Sequence, residues 1–282
     1  MLPRLRLFFL PLLLAGSFLS GSARAQVSTP RECTVTSLQV CALHVVQDEA
    51  AIITSPLRTK PADLLWIAPF GVATGVALHY DAQALQSLGV NVSRQDQWRK
   101  VSDAGIYGPI ASVGVGYLVG AVKHNDYLRQ TAVLAGEAIV DSVILNTGLK
   151  YATDRQDPMQ GDGTGRFWPH GTRTWPDGTS MPSNHSMIVW SFAHVIGNRY
   201  PGWGTQLIVY SLASTVSVSR VLARDHFPSD VVVGSTFGYL IGGFVARHRG
   251  NDYGPGGFSF SAVQTENGPA MQVSYNFAHR AR

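Results

Sequence analysis

Ser219-Arg220-Val221-Leu222-Ala223-Arg224-Asp225-His226-Phe227-Pro228-Ser229-Asp230 closes one apolar run and opens the next, and the rest of the chain is read from it. Pro228 suits the first position of a helix, where its missing N–H and fixed φ do no harm. His226 then stands just outside that helix and Asp230 in its first turn. A carboxylate so placed can accept from one ring nitrogen, fix the tautomer and leave the other nitrogen free to attack. Arg220 adds a cation. Arg, His and Asp also form ordinary surface ion pairs, so the stretch takes its meaning from what lies upstream.

Six apolar segments frame it, at about 63–80, 104–122, 129–150, 182–198, 204–222 and 228–246. Runs of this length between Gly, Pro and Asn breaks predict an all-α bundle of about six core helices. Gly71/Gly75, Gly116/Gly120 and Gly234/Gly238/Gly242 fall four apart, a spacing that lets backbones approach closely. Residues 26–62 lack clear periodicity and read as an extended or partly helical arm. After 247 the chain turns Gly-rich, and alternating apolar positions on either side of Asn267-Gly268 predict a β-hairpin over 257–278.

Two further groups fall at helix ends. Lys150, Asp154, Arg155, Asp157 and Pro158 follow the third segment, and Ser180-Met181-Pro182-Ser183-Asn184-His185 opens the fourth. The first N–H groups of a helix have no internal partner and point at an anion, so residues 183–185 form a candidate cradle. With Lys150, Arg155 and Arg220 as cations and two histidines, the set suits a phosphate ester. Cations and fixed N–H groups stabilise the charge of a transferring phosphoryl group. One imidazole can attack phosphorus while the other protonates the departing oxygen.

Charged residues are only 14% of the 282, against roughly 25% in average soluble domains, which points to tightly packed apolar helices or membrane contact. Residues 1–25 read as a secretory signal, with Arg4 and Arg6, an apolar run Leu7–Leu14 and an Ala23-Arg24-Ala25 cleavage site; an uncleaved anchor is the alternative. Without that leader 19 basic residues face 18 acidic ones, which gives no reason to invoke nucleic acid. Export makes a small-loop disulfide the natural reading of Cys33 and Cys41, the chain's two cysteines. The uncharged runs 104–122 and 231–246 are borderline for membrane spans, and Glu137 and Asp141 are costly in lipid. A periplasmic domain, at most resting on a membrane, is the expectation.

The three blocks resemble the superfamily of type 2 phosphatidic acid phosphatases (PAP2), bacterial acid phosphatases and vanadium haloperoxidases. Its signature runs K-x6-R-P, then P-S-G-H, then S-R-x5-H-x3-D. The third motif is complete as Ser219, Arg220, His226 and Asp230; the second is Pro182, Ser183, Asn184 and His185, with Asn for Gly. In the first, Lys150 and Pro158 are in register, but Asp157 stands where the family has its phosphate-binding arginine. Arg155 matches an arginine that many members carry in addition. The resemblance implies a PAP2-like domain over 63–247, a nucleophilic His226 oriented by Asp230, and His185 as general acid and then base. Lys150, Arg220, Ser183 and the Asn184 backbone would hold the phosphoryl oxygens, and the scheme needs no cofactor.

The expectation is therefore an exported phosphatase of phosphomonoesters or lipid phosphates, with phosphate binding weakened by Asp157 because a carboxylate beside a phosphate repels it. A vanadate-dependent haloperoxidase, with vanadate on His226, shares the signature. A non-catalytic phosphate- or lipid-binding protein, with Asp157 marking lost catalysis, is a third reading. The aromatic loop 159–179, with Arg166, Phe167, Trp168, His170, Arg173 and Trp175, reads as a lid or as a plain connection. Glu137 and Asp141 read as buried polar partners, and the histidines outside the motifs as capping, surface or core residues.

Overall fold

The structure, a computed structural model, describes residues 33–34, 37–171 and 178–250, and the backbone of two strands at 258–265 and 268–275. The expected leader lies outside these residues, as do Asn267, Arg173 and Trp175. The helices are α1 (Leu38–Ile53), α2 (Leu64–Leu88), α3 (Val92–Val122), α4 (Asp126–Thr153), α5 (Asn184–Arg199), α6 (Trp203–Leu222) and α7 (Pro228–His248). Strands β1 (Phe258–Thr265) and β2 (Gly268–Tyr275) pair antiparallel, with Phe258 opposite Tyr275.

Three differences from the sequence reading matter. A seventh helix, α1, occupies the expected arm. Its pattern is inverted: His44 and Asp48 are buried while Leu43 and Val46 are exposed, so no amphipathic stripe marks it. Cys41 on its first turns is bonded to Cys33. Second, α3 begins at Val92 rather than near 104, because Asn91 caps it by accepting from Arg94 N–H at 3.0 Å. That adds three polar turns which carry Arg99 and Asp103. Third, α5 begins at Asn184, two residues after Pro182, with Ser183 as its N-cap.

Leu134, Ala135, Ala138, Met187, Val195, Ile241 and Val245 form the main buried cluster, shared by α4, α5 and α7. The approach of α5 to α7 is set by small residues. A Cβ placed on Gly234, Gly238 or Gly242 would lie 2.5, 2.2 or 2.3 Å from a backbone oxygen of α5 or its cap. Gly71 and Gly75, by contrast, meet nothing within 4 Å, so the same spacing there reflects no close approach. Gly238→Ala is expected to destabilise the fold by about 1–3 kcal/mol through overpacking, while Gly71→Ala is neutral or mildly stabilising; thermal unfolding of the two variants checks this.

Among the described residues four helical segments, Pro61–Leu88, Val92–Val122, Asp126–Thr153 and Pro228–His248, are long and apolar enough to cross a membrane. The apolar window of the first has nothing buried. Leu65, Val72 and Val76 of α2 and Ile110, Val115 and Leu118 of α3 are all exposed. Glu137 and Asp141 do not oppose membrane contact, because both are buried within the bundle, Glu137 against His44 Nδ1 at 2.8 Å. The apolar surface thus exceeds what the two borderline runs in the sequence indicate.

Candidate active site

Helix ends bring the three blocks together around a cleft of about 710 Å³. Lys150, Asp157, Asn184, His185, Arg220 and His226 all line it. Lys150 sits in the last turn of α4 and donates from Nζ to the Thr179 carbonyl. Asp154 ends α4 in a left-handed conformation, φ +40°, and its Oδ1 accepts the Gly178 N–H at 2.7 Å. That bond ties the far end of the long loop back to the cleft.

At the opening of α5 the first internal bond runs from Met187 N–H to Ser183 O, 3.0 Å. The N–H groups of Asn184, His185 and Ser186 therefore precede the hydrogen-bonded ladder. Ser183 does not join them as expected. It is fully buried, and its N–H donates to the Asp230 carbonyl at 3.0 Å. It locks α5 to α7 instead of facing the cleft.

His226 precedes α7, and its Nδ1 faces Asp230 Oδ2 at 3.6 Å, slightly beyond hydrogen-bond length. Asp230 is fully buried, and the same Oδ2 accepts from Ser180 Oγ at 2.6 Å and Phe227 N–H at 2.9 Å. Since Nδ1 is turned to the carboxylate, Nε2 is the nitrogen left for an incoming group. His185 lies across the cleft, its Nε2 3.4 Å from Asp103 Oδ1 of α3. Burial first, then the positive Arg220 and His226, push the His185 pKa down to about 4; Asp103 opposes the shift. Arg220 is tied by Nη1 to Asp225 at 2.9 Å and to Ser102 Oγ at 3.0 Å.

Arg155 is not a wall of the cleft. It is buried behind His226, bonded to Asp230, Asp81 and Ser229 and stacked on Phe227 at 4.2 Å. The sequence assigns it to phosphate because its charge is visible and its two carboxylate partners, 74 and 75 residues away, are not. Asp157, the departure from the family pattern, does face the cleft. Burial raises its pKa, against the pull of His226 and Lys150. Of the aromatic loop, Met159 and Thr179 reach the cleft, whereas Phe167 packs on Arg155 at 5.1 Å and Arg166 pairs with Asp162. Arg166 is therefore engaged away from Asp157.

Arg99, Asp103, Arg224 and Asp225 also line the cleft without having been singled out in the sequence. Arg224 and Asp225 lie inside the stretch quoted first, so a signal existed for them. Nothing in the sequence marks Arg99 or Asp103, which enter only through the longer α3. Among the described residues no group of His, Cys, Asp or Glu is arranged to hold a metal ion.

No curated protein matches the chain. A solved structure similar to it is a transmembrane PAP2-type phosphatidylglycerolphosphate phosphatase from Bacillus subtilis, 17% identical, covering 75% of this chain and 94% of that one with a TM-score of 0.42. Residues 131–252, which contain all three motif blocks, match the PAP2 superfamily, and the resemblance carried by Lys150, His185, Arg220, His226 and Asp230 is borne out over that segment.

Proposed function

We propose that this protein is a membrane-associated phosphatase that hydrolyses phosphomonoesters, lipid phosphates above all, through a phosphohistidine on His226. One observation carries the reading: three blocks far apart in the chain place an oriented imidazole, a second imidazole and two cations around one cleft. Nε2 of His226 attacks phosphorus, the P–N bond forms and the P–O ester bond breaks, and the leaving oxygen takes a proton from His185. A water then attacks phosphorus and gives its proton to His185, releasing phosphate and restoring His226. Lys150, Arg220 and the α5 N–H groups hold the phosphoryl oxygens. The exposed apolar faces of α2 and α3 support a substrate that arrives from a membrane, and the secretory signal expected from the sequence of residues 1–25 would put the site on the exported side.

The test is phosphate release in excess chelator, with an aryl phosphate, phosphatidic acid and an isoprenyl diphosphate as substrates. Turnover fastest on a lipid phosphate is expected; a folded protein without turnover on any of them overturns the reading. The pH dependence follows from His185. Its depressed pKa leaves it neutral in the free protein near pH 7, so kcat/KM should fall as pH rises from about 4. A bound phosphate dianion stabilises the imidazolium, so the corresponding limb of kcat should lie at higher pH. Coincident limbs in the two profiles would remove His185 from the acid role.

A further inference from the structure

We infer that Asp81, on α2, is a positioning residue for this reaction: it fixes Arg155, which holds the Asp230 carboxylate aimed at His226, and it keeps the pair of carboxylates net negative. The inference rests on the phosphatase reading above. Asp81 lies outside residues 131–252 and in none of the three motifs. It is nonetheless 1% exposed and bonded at both oxygens. Oδ1 accepts the Ser229 N–H at 3.0 Å, and Oδ2 accepts from Arg155 Nη2 at 2.7 Å and from Ser229 Oγ at 2.5 Å. Arg155 in turn donates from Nη1 to Asp230 Oδ1 at 2.6 Å and to Ser229 Oγ at 2.7 Å, and from Nε to Gly165 O at 3.2 Å. The guanidinium is thus fixed between two buried carboxylates, with the Phe227 ring under its plane.

Charge counting gives this arrangement its purpose. A lone buried guanidinium against Asp230 would cancel the carboxylate whose charge His226 needs. The nucleophile becomes cationic when its Nε2 takes the phosphoryl group, and a net negative neighbour stabilises that cation. Two carboxylates about one guanidinium leave the cluster at net −1, so Asp230 keeps that capacity. Asp81 also holds the opening of α7 through the Ser229 N–H, next to Asp230 itself. Lys150, Asp157, His185 and Arg220 face His226 from the other elements and stay in place when Asp81 is changed.

Asp81→Asn in the full chain is the test, because the amide keeps the size but loses the acceptor that Arg155 and Ser229 Oγ use. The expected result is a kcat lower by about 10–100-fold with KM within about threefold, as for other residues that orient a catalytic group from behind. Asp81→Glu should recover part of the loss, and Asp81→Asn combined with Arg155→Lys should cost little more than the larger single effect, since both act through one network. ¹⁵N-histidine spectra supply a readout free of turnover: His226 should hold one tautomer in the native chain and a mixture in Asp81→Asn. If Asp81→Asn does not fold, Arg155→Lys carries the same expectations alone. A kcat within twofold of native, with an unchanged tautomer, overturns the inference and leaves the phosphatase reading standing. A native chain no faster than His226→Ala removes both.

Discussion

His226→Ala is expected to lower kcat by on the order of 10⁴-fold or more, the loss typical when a nucleophile is removed from a preorganised site. The structure makes the effect specific to the chemical step. His226 supplies the electron pair for the P–N bond, and alanine leaves only water, which has no oriented base at that position. Lys150, Arg220 and the α5 N–H groups are untouched, so affinity for inorganic phosphate should change little. Phosphate release and equilibrium phosphate binding, measured on the same preparation, separate the two. A variant retaining more than about a hundredth of native turnover would show that His226 is not the attacking group.

Asp157→Arg is expected to strengthen phosphate binding by about 10–100-fold, the second large effect. Asp157 lines the cleft beside Lys150, with its Oδ2 3.5 Å from Thr179 Oγ1, and its carboxylate works against any phosphate dianion held by the same lysine. At an effective dielectric of about 20, unit charges ~5 Å apart interact by about 3 kcal/mol, reduced further here because the cleft is open to water. Replacing a repelling charge by an attracting one uses that interaction twice, and Asp157→Asn should give a smaller gain. Burial already raises the Asp157 pKa, and a phosphate dianion raises it further, so native phosphate binding takes up a proton and tightens as pH falls. Asp157→Asn should flatten that dependence. Calorimetric titration with phosphate across pH reads both; equal affinity in all three proteins would mean that the Asp157 carboxylate turns away from the bound anion.

The bundle was legible where the physics is local. Apolar runs between breaks give α2 and α4 to α7, and the Pro228 and Gly234/Gly238/Gly242 signals correspond to the start of α7 and its contact with α5. Helix α1 was legible only as part of an extended or partly helical arm, because its inward face is polar, buried against partners such as Glu137 and Arg249 from elsewhere in the chain. The start of α3 escaped because a polar helical stretch has no apolar rhythm to announce it.

The same division runs through the site. The sequence by itself determined which groups can do chemistry: an imidazole before a helix, a carboxylate four residues on, a second imidazole at a helix opening and cations at helix ends. Those follow from residue type, spacing and the unpaired N–H groups of any helix start. Only the tertiary structure decided what each group faces. Ser183 carries a motif position and Arg155 lies inside the first motif, yet both turn inward, Arg155 to Asp81 and Asp230, Ser183 to the Asp230 carbonyl. Arg99 and Asp103 lie outside every motif yet line the cleft. Charge is a property of the residue, but its partner is chosen by packing between segments tens of residues apart, and a linear pattern does not contain that choice.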